Sequence, residues 1–288
     1  MCSSDLGFQT TIQDLGRFGF RKLGIPTSGA ADSKSLMDAN SIVGNPKTNP
    51  VLEHTFYGGI YRFNTSSIIS ITGAKCNPTI NGRVVSQYVS IEVKIGDEIE
   101  INHPERGCRV YMAVQGVFDL PKVMESYSTY LPAKFGGYNG KVLEIGDTLE
   151  WKTQLSDVKS TEFPKENIPY FSSKIAITIE NGPEYNKLDD QSVKRLFSGS
   201  FVVDSQSNRM GIRLTGEKLI SPNFEMVSSP VIPGVIQLPP SGNPIILMND
   251  GQTIGGYPRI GIVNEPELWR LGQVKTGDRI KLVSNHLL

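Results

Sequence analysis

The sequence predicts a mainly β protein made of two related β-barrel subdomains with a few short helices. Three observations lead there. Short β-rich runs are punctuated by Gly, Pro and Asn in a chain of 288 residues that holds 29 glycines and 18 prolines. The same landmarks recur in both halves in the same order. So many short strands also leave many edges, which closure into barrels removes. The length exceeds the commonest domain size. The first subdomain is therefore set at residues 7–152, a polar linker with two prolines at 153–169, and the second subdomain at 170–288, with strand exchange between the halves allowed.

Taken in order, MCSSDL has neither the charge nor the apolar centre of a signal peptide. It matches one reading frame of a common sequencing adapter, so Met1 to Leu6 is expected to replace a native start. Glycines at 7, 16, 19, 24 and 29, with Pro26, then forbid a long helix and predict a looped ribbon carrying Gln13, Asp14, Arg17, Arg21, Ser28 and Asp32. A helix follows, capped by Asp32 or Ser33, striped by Leu36, Ala39 and Val43, and ended at Gly44-Asn45-Pro46. Strands are predicted at 60–63, 67–72, 84–93, 98–101 and 108–114, one helical turn at Pro121–Glu125, and closing strands at 142–145 and 148–151.

The second half restarts with a strand at 174–179 and a capped helix from Asp189 to Ser198. Strands follow at 201–204, 211–214, 235–238 and 245–248, and a last helix has Asn264 as cap and Pro266 in its first turn. Across the halves, Thr72-Gly73 matches Thr215-Gly216, Gly136-Gly137-Tyr138 matches Gly255-Gly256-Tyr257, and Gly146-Asp147 matches Gly277-Asp278.

Composition excludes several classes. Lys+Arg and Asp+Glu balance at 29 each, which lacks the basic excess of an electrostatic nucleic-acid binder. No apolar run approaches the roughly 18 residues of a membrane span. Cys2, Cys76 and Cys108 show no CxxC spacing and fit a reducing cytoplasm. With only three separated histidines (His54, His103, His286), no metal site is expected. Gly136 to Lys141 is too short for a phosphate-binding Gly-rich loop, and Val142 replaces its Ser or Thr, so no nucleotide motif is present. There is no Gly-x-Ser-x-Gly elbow. No Ala-Met-Lys-Met segment exists either, so biotin is not covalently bound.

The densest polar chemistry lies in Asn243 to Gly261, NPIILMNDGQTIGGYPRIG. A short buried strand runs out into Asp250, Gln252 and Thr253, then Gly255-Gly256, then Tyr257 and Arg259. Adjacent glycines allow amide N–H groups to turn towards a ligand. A tight β-turn with ordinary polar decoration explains the same letters.

TTIQDLGR, SGAAD, SNRMGIRL, GVIQLPPSGNPIILMNDGQTIGGYPRIG and the terminal Gly-Asp-x-Ile together resemble the family of 5-oxoprolinase C subunits, also called KipA or allophanate hydrolase subunit 2. That family corresponds to the second half of the carboxyltransferase domain of urea amidolyase. The resemblance covers Gly7 to Leu282. It implies cyclophilin-like barrels, a cytoplasmic location and a small amide substrate. The partners it implies are the KipI-like B component and the A component of the same enzyme. The activity implied is hydrolysis of a cyclic amide, opening 5-oxoproline to L-glutamate, with ATP used by the complex.

Carried onto matched positions, Asp250, Arg259 and Arg17 become catalytic candidates. Asp14, Ser28, Asp32, Arg209, Arg213, Gln252, Gly255, Gly256 and Tyr257 become substrate-binding candidates. Alternatively, Arg17, Arg209 and Arg213 pair with Asp14 and Asp250 to hold the barrels together. Ile254 and Val117 depart from the family pattern, which usually has Thr and Gly there. Two other functions stay open: a carboxyltransferase half acting on urea-like amides with carboxybiotin, and a non-catalytic regulatory partner of a KipI-like protein.

Overall fold

The computed structural model describes residues 1–5, 9–153, 163–222 and 226–285, so Gly7, His286 and most of the proposed linker lie outside the described residues. The chain divides into two units, Met1–Arg17 with Ser28–Phe171, and Phe18–Thr27 with Ser172–Leu288. The segment Phe18–Thr27 thus goes with the second unit, whereas the sequence places it in the first subdomain. The physical reason is Arg21, whose Nη2 donates to the Val231 and Gln252 carbonyls. The chain is mainly β, with a few short helices.

In the first unit the central strand Arg106–Val114 reads as apolar without alternation because both of its faces are covered. Val110, Met112 and Val114 enter one core with Ile12, Leu52, Phe63 and Ile99. Tyr111 and Ala113 point the other way, against Leu36, Ala39 and Val43 of the segment that contains the helix Ser33–Ile42. That helix begins at Asp32, whose carboxylate accepts from the Ser35 N–H at 2.9 Å, as an N-cap residue should. Hydroxyls on the neighbouring strand Ser67–Lys75 hold it from below: Ser70 donates to the Ala39 carbonyl at 2.6 Å and Thr72 to the Ser35 carbonyl at 2.7 Å. The strands form two antiparallel five-stranded sheets, ordered 2–5, 59–62, 98–101, 79–80, 83–84 and 9–13, 51–55, 106–114, 67–75, 91–93.

The second unit is a closed seven-stranded barrel. Around the ring run Lys174–Asn181, Arg259–Val263, Val235–Gln237, Ile245–Leu247, Gly211–Thr215, Phe201–Val203 and Arg279–Ser284. The last closes on the first in a parallel pairing. Ile177, Leu214, Ile236, Ile246, Ile260 and Leu282 fill the interior, and Leu196 of the helix Asp190–Ser198 joins them.

Several expectations change. Pro121–Glu125 is not helical: Met124 and Glu125 have φ of 53° and 62° and turn a bridge between Val123 and Ser126. Residues 142–145 run into a turn and form no strand. Residues 84–93 divide into Arg83–Val84 and Ile91–Val93, with Tyr88 at φ 61° between them. Asn264 precedes a 3-10 turn, Glu265–Glu267, without a side-chain cap bond, before the short helix Leu268–Leu271. Cys2–Asp5 forms an edge strand, and Met1 is buried in the first core. No helix among the described residues is long and apolar enough to cross a membrane.

Candidate functional site

In the first unit the candidate polar side chains are turned inwards. Asp14 accepts from the Gly16 N–H at 2.8 Å, the Tyr127 N–H at 2.7 Å, the Ser126 hydroxyl at 2.7 Å and the Ser128 hydroxyl at 2.5 Å. Its carboxylate therefore pins the 126–128 segment to the ribbon. Arg17 is fully buried; it donates to the Ser128 carbonyl and stacks 4.7 Å from the Phe135 ring centre. Asp32 is the helix cap already described, and Ser28 is fully buried at φ 54°. All four side chains are buried.

Glu53 is structural: it accepts from the Ala31 N–H and the Tyr111 hydroxyl, both at 2.8 Å. Gly136 to Lys141 does not fit a nucleotide phosphate. The amides of Gly137, Gly140 and Lys141 are spent on the carbonyls of Tyr127, Gly136 and Tyr138. The Lys141 ammonium is held by Glu144 at 2.6 Å and Asp147 at 3.2 Å.

In the second unit the strand Ile245–Leu247 delivers Asp250 to a buried position, where it meets Arg209 in a two-pronged pair. Arg209 Nε lies 2.7 Å from Asp250 Oδ2, and Nη2 lies 3.2 Å from Oδ1. This pair lies within the second unit. Arg259 forms a second fork, on Glu184, at 2.9 Å through Nε and 2.7 Å through Nη2. The hydrogen bonds from Arg259 hold the Glu184 carboxyl below its usual pKa and raise that of Arg259. Arg259 is thus not an open clamp, and Glu184 is a partner that the sequence alone does not indicate.

Gly255 and Gly256 have ordinary backbone angles, so they are not a left-handed amide nest. A Cβ on Gly255 would press on the Gln237 side chain, 2.3 Å from its amide nitrogen. Gln237 Oε1 accepts from Gln252 Nε2 at 3.1 Å, and its Nε2 donates to the Tyr257 carbonyl at 3.4 Å. This buried amide holds the loop from beneath and leaves the Tyr257 ring exposed.

The second unit carries a pocket of about 480 Å³ lined by Arg213, Tyr257, Asp204, Ser241 and Asn243 among others. That volume falls within the ordinary range for small-ligand sites, roughly 300–1,000 Å³. Arg213 and Tyr257 are the two candidate residues that the structure brings together there. Asp204 carries no motif that marks it as a site residue, and Ser241 and Asn243 lie in a resembling block without being singled out there. Pro239-Pro240-Ser241-Gly242-Asn243 is the available signal, since such a run dictates a rigid turn that presents its polar groups outwards.

The carboxyltransferase domain, subdomain A and B, family model matches residues 23–284. The C subunit of 5-oxoprolinase from Escherichia coli K12 is 37% identical over 278 residues, covering 96% of this chain and 88% of that protein. Urea amidolyase of Saccharomyces cerevisiae is 35% identical over 96% of this chain, which spans only 16% of that much longer protein. The crystal structure of Kluyveromyces lactis urea amidolyase superposes with a TM-score of 0.91 at 31% identity, covering 98% of this chain and 18% of that one. On the extent of these matches, the chain belongs to the carboxyltransferase domain, subdomain A and B, family.

Proposed function

We propose that the chain is the C subunit of an ATP-dependent 5-oxoprolinase, opening the 5-oxoproline lactam to L-glutamate together with a KipI-like B component and an A component. The observation that carries this reading is mutual coverage: the match to the bacterial 5-oxoprolinase protein spans most of both chains. A lactam is a poor electrophile, so ATP must activate it. ATP is used at the level of the complex.

This chain's own contribution is positioning. The Arg209–Asp250 and Arg259–Glu184 forks fix both ends of the 250–259 loop. Gln237 sets Tyr257 at the pocket, and Arg213 supplies positive charge there. Fixed charges of this kind stabilise oxygens that become negative during ring opening, without reorganisation at the moment of reaction. Asp250 and Arg259 are accordingly positioning residues for the loop, and Asp14 and Arg17 hold the 126–137 segment of the other unit.

Carboxyl transfer to a urea-like amide is the second reading, favoured by the structural match to urea amidolyase. The deciding experiment is co-expression with the A and B partners and an assay of 5-oxoproline-dependent ATP hydrolysis. Turnover that vanishes when this chain is omitted supports the proposal. A stable complex without turnover would instead leave a regulatory binding role.

A further inference from the structure

The strand pair Phe201–Val203 and Gly211–Thr215 ends in two opposite charges. Val203 faces Leu214 across the ladder, and both are buried in the barrel. The next cross-strand step joins Asp204 to Arg213, with the Asp204 N–H donating to the Arg213 carbonyl at 2.9 Å. By the alternation of strands these two side chains leave on the outer side, and both line the 480 Å³ pocket. Opposite charges at facing positions sit only about 4.5–5.5 Å apart at Cβ, close enough to pair. These do not pair. Among the described residues neither makes an ion pair; Asp204 Oδ1 accepts from the Gln206 N–H at 2.8 Å, which leaves Oδ2 available. Arg209 and Arg259 each close on a carboxylate in a fork, so the contrast lies inside one unit.

We propose that this pocket binds a free α-amino acid as its zwitterion, with the carboxylate on the Arg213 guanidinium and the ammonium on Asp204. A planar guanidinium matches a carboxylate in two parallel hydrogen bonds, and a carboxylate oxygen with free lone pairs accepts from an ammonium. A ligand with both charges on one carbon satisfies both groups at once; a simple anion leaves Asp204 facing it. Asn243, Ser241 and Tyr257 line the same pocket and are left to meet the amino acid's side chain. Which amino acid is held rests on the function proposed above. In that reaction L-glutamate is the species with an ammonium group, since the lactam nitrogen of 5-oxoproline is uncharged. The pocket then takes product in preference to substrate.

The test is isothermal titration of the full chain, without partners, against L-glutamate, glutarate and 5-oxoproline. L-Glutamate is expected to bind at least tenfold more tightly than glutarate, which has both carboxylates and no ammonium, or 5-oxoproline. Arg213→Gln should weaken L-glutamate at least tenfold. Asp204→Asn should weaken L-glutamate by a similar factor and leave glutarate unchanged or improved. Equal affinity for glutarate and L-glutamate, indifference to both substitutions, or no binding would each overturn the proposal. Thermal melting of both variants checks that they remain folded. Loss of this binding preference beside an active co-expressed complex removes the zwitterion site alone. Intact binding beside an inactive complex removes the 5-oxoprolinase reading alone.

Discussion

Gly136-Gly137-Tyr138 in the first unit and Gly255-Gly256-Tyr257 in the second share their letters and differ in physics. The first pair has φ of 70° and 54°, and a Cβ on Gly137 would lie 1.9 Å from the Thr129 hydroxyl oxygen. The second pair uses ordinary angles; Gly255 yields space to Gln237, and a Cβ on Gly256 would meet nothing nearer than 3.7 Å. Polar groups around the first pair are consumed by the fold. Around the second, the forks on Asp250 and Glu184 fix the loop, and the neighbouring Arg213 and Tyr257 face outwards. Glycine motifs alone therefore do not mark a site; the fate of the surrounding charges does.

The largest expected effect tests whether the Arg209–Asp250 fork is structural. Arg209→Ala strands a buried carboxylate and should cost about 3–5 kcal/mol in urea unfolding. Trp269, in the second unit, is a local fluorescent probe for it once Trp151, in the first, is replaced by Phe. Retained stability with lost turnover in the complex would instead place Arg209 in contact with substrate. Next in size, Gly137→Ala should destabilise by about 2 kcal/mol, because it meets both a disfavoured φ and a clash. Gly256→Ala should stay within about 0.5 kcal/mol in urea unfolding, with Trp151 retained as the probe of the first unit for Gly137→Ala and Trp269 as that of the second. Equal costs at the two sites would remove the contrast between the loops.

A smaller effect belongs to the first unit alone. His54 is fully buried, with Nδ1 3.2 Å from the Thr10 and Tyr61 hydroxyl oxygens and Nε2 without a hydrogen-bond partner among the described residues. Burial pushes its pKa down from 6.5 to about 3. The folded state thus keeps the ring neutral while the unfolded chain takes a proton below pH 6.5. Its contribution to stability is fully present above that pH and is lost as pH falls towards 3, by about 1 kcal/mol per unit. Urea unfolding between about pH 7 and 5, compared with His54→Gln, should show this slope flattened in the variant.

Much of the fold is legible because local rules decide it. Asp32 and Asp189 cap their helices as their positions suggest, through Ser35 and Ser192. The Gly-Asp turns at 146–147 and 277–278 share one geometry, with Gly φ of 91° and 89° and the Asp carboxylate accepting the N–H three residues earlier. Gly96-Asp97 repeats it a third time. The site is less legible because it depends on which charges find partners, and partners are distant in sequence. Arg259 and Glu184 are 75 positions apart, and only the folded barrel brings them to 2.7 Å. Nothing in the spacing of SNRMGIRL says that Arg209 is paired and Arg213 open.

The smallest stability effect is the sharpest test of that division. Tyr257 has 44% of its surface exposed, and the loop beneath it is held through its backbone carbonyl rather than its ring. Tyr257→Ala should therefore change unfolding free energy by no more than about 0.5 kcal/mol. If the ring walls the pocket, the same substitution should raise the KM of the assembled complex for 5-oxoproline several-fold. A loss of stability without a change in KM would make Tyr257 a structural rim residue, and the outward-facing half of the contrast would then rest on Arg213 alone.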